Sequence, residues 1–368
     1  MEAIGIICEY NPFHNGHKYH IEKIKEMYPD DIIILVINGY FLERGEISIL
    51  SKEAKTKIAL EYGVDLVLSL PFFYGSQSAD NFAYGAIKTL NLFKISKIVF
   101  GSESNNTDEL KKIVKKQNSL SNKIKLNLKK GLSYPAAISV NELNSPNDLL
   151  GVSYIKAINK VNKKIKPISI KRTNSYHDLK SNNKIISASN IRNKLKENID
   201  IKDYIPNKVL KYIENINVED LFLYLKYQVL TNDDLTRYLT VDEGIHNKII
   251  KNINKVNSIE ELIQSIKSKR YTYNRLKRML VHILVGLKKD DVHKYRDLDY
   301  VQILGFNNKG RTYLNTLKNK KDIVLKSKNY NSIIYKYELK SAYIYSLISK
   351  KDIISFETSH KPIKKSLQ

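Results

Sequence analysis

A chain of 368 residues is longer than one ordinary domain, and its 42% of hydrophobic residues can bury a sizeable core. No apolar run reaches membrane-span length, the apolar start Met1-Glu2-Ala3-Ile4-Gly5 lacks the basic segment of a secretory leader, and the lone Cys8 excludes disulfide frameworks and cysteine zinc sites within one chain. Together these predict a cytoplasmic protein with no membrane partner. A net charge of +24 points to a polyanionic partner; a lysine-rich codon bias alone would have raised the 38 acidic residues as well as the 62 basic ones.

Residues 3–8 form a short apolar run, and 17–27 carry helical spacing. Residues 31–37 are apolar and β-branched, and a loop over 38–46 follows. Ser51 is placed to cap a helix over 52–62. A third strand over 64–70 stops at Pro71. A helix over 79–92 precedes a fourth strand, 97–100, which ends in Gly101-Ser102-Glu103. Residues 105–143 are Lys- and Asn-rich with weak periodicity. Then come a helix over 147–161, a fifth strand over 166–171 and a helix starting near Ser189.

This alternation predicts an α/β fold: a Rossmann-like parallel-sheet domain over 1–198. From 199 to 368 long amphipathic helical stretches dominate, such as 218–230, 259–266 and 273–287, with a basic, frayed tail from 359. A mainly helical, basic second domain is expected there.

Ligands of such sheets sit beyond the carboxyl ends of the strands. The first loop, Cys8-Glu9-Tyr10-Asn11-Pro12-Phe13-His14-Asn15-Gly16-His17, lies there and opens a helix. Unpaired N–H groups and the helix dipole attract anions, Gly16 permits close backbone approach, and His14 and His17 can donate to phosphate oxygens. An ATP loop is the leading reading. A plain turn with two solvated histidines, and a metal site through His14, His17 and His20, compete with it.

Ser187-Ala188-Ser189 precedes Arg192 by about one turn. Ser189 could cap the helix and donate to a phosphate, and Arg192 offers a planar fork to one. Arg172, with Lys171 at the end of the fifth strand, is a further phosphate or RNA contact, and His177 in Tyr176-His177-Asp178 a weaker one. In the second loop, Gly39 to Glu46 could bind a small substrate or close over ATP. Phe72 and Phe73 are divided between core and site, whereas Gln77 and Ser78 are better site candidates.

Taken in order, Asn11-Pro12-Phe13-His14-Asn15-Gly16-His17, Phe41-x-x-Arg44-Gly45-Glu46, Leu70-Pro71, Gln77-Ser78-Ala79, Gly101-Ser102-Glu103, Asn147-x-x-Leu150-Gly151, Lys171-Arg172, Ser187-Ala188-Ser189-x-Ile191-Arg192 and Leu304-Gly305-Phe306-Asn307 form a set. That set resembles the tRNA(Met) cytidine acetate ligase family, within the HIGH-type nucleotidyltransferase superfamily. The resemblance implies that acetate is activated with ATP as acetyl adenylate and passed to N4 of the wobble cytidine of elongator tRNA(Met). It implies ATP contacts from Ile7, Cys8, Glu9, Tyr10, Asn11, Pro12, Phe13, His14, Asn15, Gly16, His17, Lys18, Tyr19 and His20, and from Gly101, Asn147 and Arg172. Ser189 joins them from the helix-start reading, and His14, His17 and Arg192 are the expected catalytic residues. Mg2+ is expected with the phosphates, no metal ligands are assigned to the protein, and the basic half would hold the tRNA backbone. Glu43 stands where Gln is expected, and Ile47-Ser48 where Pro-Ala is expected. The competing function is a cofactor adenylyltransferase acting on a phosphorylated small molecule, which has little use for a basic helical half.

Overall fold

Apolar runs make the strands β1 (Ala3–Cys8), β2 (Ile32–Asn38) and β3 (Leu66–Leu70), which are buried on both faces over most of their length. The computed structural model describes residues 2–120, 127, 130, 145–172, 185–214, 216, 218–317, 332–359 and 361–365. Two helices connect the three strands, α1 (Asn15–Met27) and α2 (Lys52–Glu61). Ser51 caps α2 as expected, accepting from the Ala54 N–H at 3.2 Å. There follow α3 (Phe72–Gly75), α4 (Ala79–Leu92), β4 (Lys97–Ser102), α5 (Thr107–Ser119), α6 (Pro146–Val161), β5 (Lys166–Lys171) and α7 (Ala188–Lys196).

The second half runs through α8 (Asn207–Leu210), α9 (Val218–Leu230), α10 (Ile245–Asn252), α11 (Ile259–Ile266), α12 (Tyr273–Val285) and α13 (Lys289–Lys294). It ends with β6 (Ile303–Asn307), α14 (Asn308–Thr316), α15 (Ile333–Ser349), α16 (Ile354–Ser359) and β7 (Ile363–Lys365).

One seven-stranded sheet has the order β5-β4-β1-β2-β3-β6-β7. Its first five strands are mutually parallel, so the α/β expectation holds. The half expected to be helical supplies the other two strands: β6 pairs antiparallel with β3, and β7 parallel with β6. The tail expected to fray is therefore hydrogen-bonded over Ile363–Lys365, and the sheet draws strands from both sides of residue 198.

Two apolar cores flank the sheet. One, beneath α1 and α2, gathers Ile4, Ile6, Ile21, Ile24, Ile58 and Val67. The other begins under α4 and α6 and continues without a break into α9, α12 and α15. Among the described residues no helix is long and apolar enough to cross a membrane.

A buried ion cluster fastens the C-terminal helices to the sheet half. Lys52 Nζ lies 2.5 Å from Glu338 Oε1 and 2.6 Å from Glu357 Oε1, all three side chains being fully buried. The Tyr40 hydroxyl donates to Glu357 Oε1 and the Phe72 N–H to Glu338 Oε2, whereas Glu357 Oε2 is buried with no hydrogen-bond partner among the described residues. One turn along α2, Lys55 Nζ donates to the Asn38 and Gly39 carbonyls, and burial pushes its pKa down to about 7.

Candidate active site

β1 lies between β4 and β2, and the crossovers on its two sides use opposite faces of the sheet. The carboxyl end of β1 is thus the switch point, where ligands of open α/β sheets bind. The first loop leaves β1 here, and His14 is the N-cap of α1. His14 Nδ1 accepts from the Gly16 N–H at 3.0 Å, and His17 Nδ1 accepts from the His14 N–H at 3.2 Å. This is a reciprocal capping box made of imidazoles instead of a hydroxyl and a carboxylate.

The box fixes the tautomers. With both Nδ1 atoms accepting, each neutral ring carries its proton on Nε2. Burial, then the charge of Arg172, holds His14 down at about 3; burial, then His14 and Arg172, holds His17 well below the ordinary imidazole value. The rings lie 3.9 Å apart, so two imidazolium ions would also repel each other. The competing reading of a plain turn with two solvated histidines fails at His14, which is 5% exposed, while His17 is half-buried. One turn on, burial and Arg172 lower His20 to about 4, and its buried Nε2 has no hydrogen-bond partner among the described residues. Gly16 is required by packing: a Cβ there would stand 2.8 Å from His14 Cε1.

The rest of the loop is scaffold. Tyr10 sits at φ +47°, a left-handed conformation uncommon for a bulky side chain, and is held edge-on to Phe13 and His17 at 4.9 and 4.8 Å. Phe13 is fully buried and stacks on Tyr62 at 4.8 Å. Asn11 Oδ1 accepts from the Ile49 N–H at 2.8 Å, and Asn15 donates from its backbone and side chain to the Tyr204 and Asp203 carbonyls. Lys18 is exposed and pairs with Glu22, and Tyr19 lies under Lys23, so neither joins the histidines. Burial raises the Cys8 thiol to about 12, although the residue keeps some exposed surface, so Cys8 is no thiolate nucleophile.

Gly101, Asn147 and Arg172 come together beside this loop, at the ends of β4 and β5. Asn147 donates to Glu103 Oε1 at 2.5 Å, and Arg172 Nε lies 3.8 Å from the same oxygen. The arginine stem crosses Gly101, with Cγ 3.4 Å from where a Cβ would be. Gly101, expected among the ATP contacts, makes room for the stem of Arg172. Buried Nε of Arg172 has no hydrogen-bond partner among the described residues.

Arg192 is placed differently from expectation. Its Nη1 donates to the Asn11 carbonyl at 2.7 Å and its Nη2 to Glu46 at 2.5 Å, so it braces the first loop against the second. The N-cap of α7 is Ser187, which accepts from the Asn190 N–H at 3.2 Å; Ser189 is already the second helical residue, its Oγ 3.4 Å from Arg192 Nη2. Gln77 is also reassigned. It is buried, donates to the Phe73 carbonyl and accepts from Asn81, while Phe72 and Phe73 are core. Ser78 is exposed at the start of α4, and Tyr176, His177 and Asp178 lie outside the described residues.

Glu9 of the first loop holds the second: its Oε1 accepts from Asn38 Nδ2 at 2.7 Å and from the Glu43 N–H at 2.8 Å. Glu43 lies 3.2 Å from Arg278 Nη1; burial raises it to about 7 against the pull of that arginine. Glu46 spans Arg192 and Lys277. Gly45, at φ +74°, packs so closely on α12 that a Cβ would stand 2.5 Å from the Arg278 nitrogen. Glu103, Lys277 and Arg278 were absent from the expected site. The position of Glu103 after a strand could have flagged it, whereas nothing local distinguishes Lys277 and Arg278 from other basic helical residues. Among the described residues no group of three His, Cys, Asp or Glu side chains could hold a metal ion.

A neutral histidine pair whose Nε2–H groups have no partner among the described residues, an adjacent arginine and a glycine-opened helix N-terminus define a phosphate-handling site of the nucleotidyl-transfer class. The chain belongs to the HIGH nucleotidyl transferase family, whose model matches residues 1–359. Within it, the chain is 37% identical over 377 residues to the tRNA(Met) cytidine acetate ligase of Caldicellulosiruptor saccharolyticus, covering 94% of each chain. It is 38% identical to that of Clostridium novyi over 395 residues, 98% of each. Among solved structures, Thermotoga maritima TmcAL bound with alpha-thio ATP superposes with a TM-score of 0.88 at 26% identity over the whole of both chains.

Proposed function

We propose that this chain is a cytoplasmic, ATP-dependent ligase that activates acetate as acetyl adenylate and transfers the acetyl group to N4 of the wobble cytidine of elongator tRNA(Met). The observation that carries the chemistry is the imidazole capping box, because it presents two neutral N–H donors in fixed orientation at the switch point. An acetate oxygen attacks the α-phosphate, pyrophosphate departs, and charge grows on the phosphate oxygens. His14 and His17 donate to those oxygens through Nε2, while Arg172 supplies the positive charge that neutral imidazoles lack. The orphaned buried nitrogens of His20 and Arg172 fit a polyphosphate as their missing acceptor. Mg2+ would arrive on the pyrophosphate oxygens, since Glu103 and Asp148 already serve Asn147, Ser102 and Ser104. In the second half-reaction N4 attacks the acetyl carbonyl, the N–C bond forms, AMP leaves with the carboxyl-phosphate oxygen, and N4 loses a proton.

Acetate-dependent exchange of labelled pyrophosphate into ATP, followed by transfer of labelled acetate to tRNA, tests both halves. His14→Ala and His17→Ala should each lower exchange by about 100-fold or more, as loss of an oriented donor does. Exchange that needs no acetate, with AMP delivered to a phosphorylated small molecule, would replace this reading.

A further inference from the structure

On the α1/α2 side of the sheet a groove of about 370 Å³ opens between α2, α8 and β7, within the size range of built ligand sites. Lys208, Lys211, Lys364 and Lys365 line it together with Tyr62 and Tyr212. Glu61 is the acid in its lining, and it is shared between Lys208 and Lys365. Those two ammonium groups hold the Glu61 carboxyl below its ordinary value. Lys211, which lies 5.0 Å over the Tyr212 ring, and Lys364 have no carboxylate partner among the described residues. The lining therefore keeps an excess of positive charge alongside two aromatic rings.

The groove shares a core contact with the phosphate loop. Tyr62, one of its walls, stacks on Phe13 of that loop. The segment leading into α8 is pinned to the start of α1, where Asn15 donates to Asp203 and Tyr204. Lys194, in the last turn of α7, sits 5.3 Å over the Tyr204 ring and extends the basic band toward Arg192.

Resting on the function proposed above, we infer that this groove seats the sugar–phosphate strand of the tRNA, with Lys211 and Lys364 on phosphates and Tyr212 against a base. Lysines interleaved with tyrosines are the combination that holds single-stranded nucleic acid, backbone by charge and bases by stacking. An acidic protein would satisfy the charge but has no use for the rings.

Full-length protein carrying Lys211→Glu and Lys364→Glu is compared with the parent in tRNA binding across a salt series, tRNA acetylation and acetate-dependent pyrophosphate exchange. The expected result is tRNA binding weakened by about tenfold or more, a log–log salt slope shallower by about 2, and exchange within about twofold of the parent. Tyr212→Ala should weaken binding by about fivefold and leave the salt slope alone. Unchanged affinity and slope in the double variant would overturn the inference. So would lost exchange with intact tRNA binding, which would make the groove a second nucleotide site. A parent that binds no tRNA at all would instead bring down the functional reading on which the inference stands.

Discussion

The two loops at the rim are built on opposite plans. The loop after β1 holds itself: its cap, its tautomers and its glycine all lie within Tyr10 to His17. The loop after β2 is held by others. Glu43 and Glu46 reach Arg278, Lys277 and Arg192, and Gly45 lies on the backbone of α12. The first sets its cap and tautomers locally and takes only bracing from Ile49, Arg192 and the Asp203–Tyr204 segment, whereas the second is a joint, and its shape depends on whether the C-terminal half is docked. Local sequence can specify the first kind of loop but not the second.

The joint should break most severely at its foundation. Lys52→Met leaves Glu338 and Glu357 buried together without a cation, and removing one partner of a buried ion cluster costs roughly 3–5 kcal/mol. Urea unfolding of the variant should show that loss; a change under about 1 kcal/mol would mean the cluster is not what fastens the halves.

The two glycines separate the plans more finely. Gly16→Ala pushes the His14 ring out of place, so pyrophosphate exchange should fall about 100-fold while stability changes little. Gly45→Ala meets both the positive φ and the α12 backbone, so it should cost about 1–3 kcal/mol of stability. Matching losses of stability and exchange in the two variants would erase the distinction.

The smallest effect is a difference in pH response. His20 is depressed to about 4 in the fold, so the unfolded chain binds its proton first, and stability is lost as pH falls from about 6.5 toward 4. Glu43 is raised to about 7, so the fold takes that proton first, and stability is gained as pH falls from 7 toward the ordinary carboxylate range. Each amounts to about 2 kcal/mol between pH 7 and pH 5, with opposite sign, and the depressed His14 and His17 add to the loss on the side of His20. In denaturant titrations at the two pH values, Glu43→Gln should lose more stability on acidification than the parent and His20→Asn should lose less. A parallel response of both variants would show that the loops do not titrate as their surroundings require.

Much of the fold was legible from periodicity. The strands Ala3–Cys8 and Lys166–Lys171 and the helices Ala79–Leu92 and Val218–Leu230 begin and end where the apolar spacing puts them. β6 and β7 were not, because five and three residues offer too few alternations to stand out beside long helices, and the pairing that makes them strands is supplied by β3. The site divided in the same way. His14, Gly16 and His17 announce themselves in four residues. Arg192 was named for the right region but for the wrong partner, since its acceptors Asn11 and Glu46 lie 181 and 146 residues away. Gln77 looked like a ligand contact because a polar residue in an apolar segment can equally be satisfying a carbonyl, and here it satisfies that of Phe73.

The late strands have a consequence for how the molecule is made. β3 gains its antiparallel neighbour only when residues 303–307 exist, and Lys52 gains both its carboxylates only with Glu338 and Glu357. While the chain is on the ribosome, the phosphate loop can close early, but β3 stays an open edge until residues 303–307 emerge and α2 keeps an unpaired lysine until Glu338 and Glu357 do. Synthesis thus sets the order of assembly: nucleotide chemistry is framed first, and the joint that completes the second loop is locked only after Glu338 and Glu357 are translated.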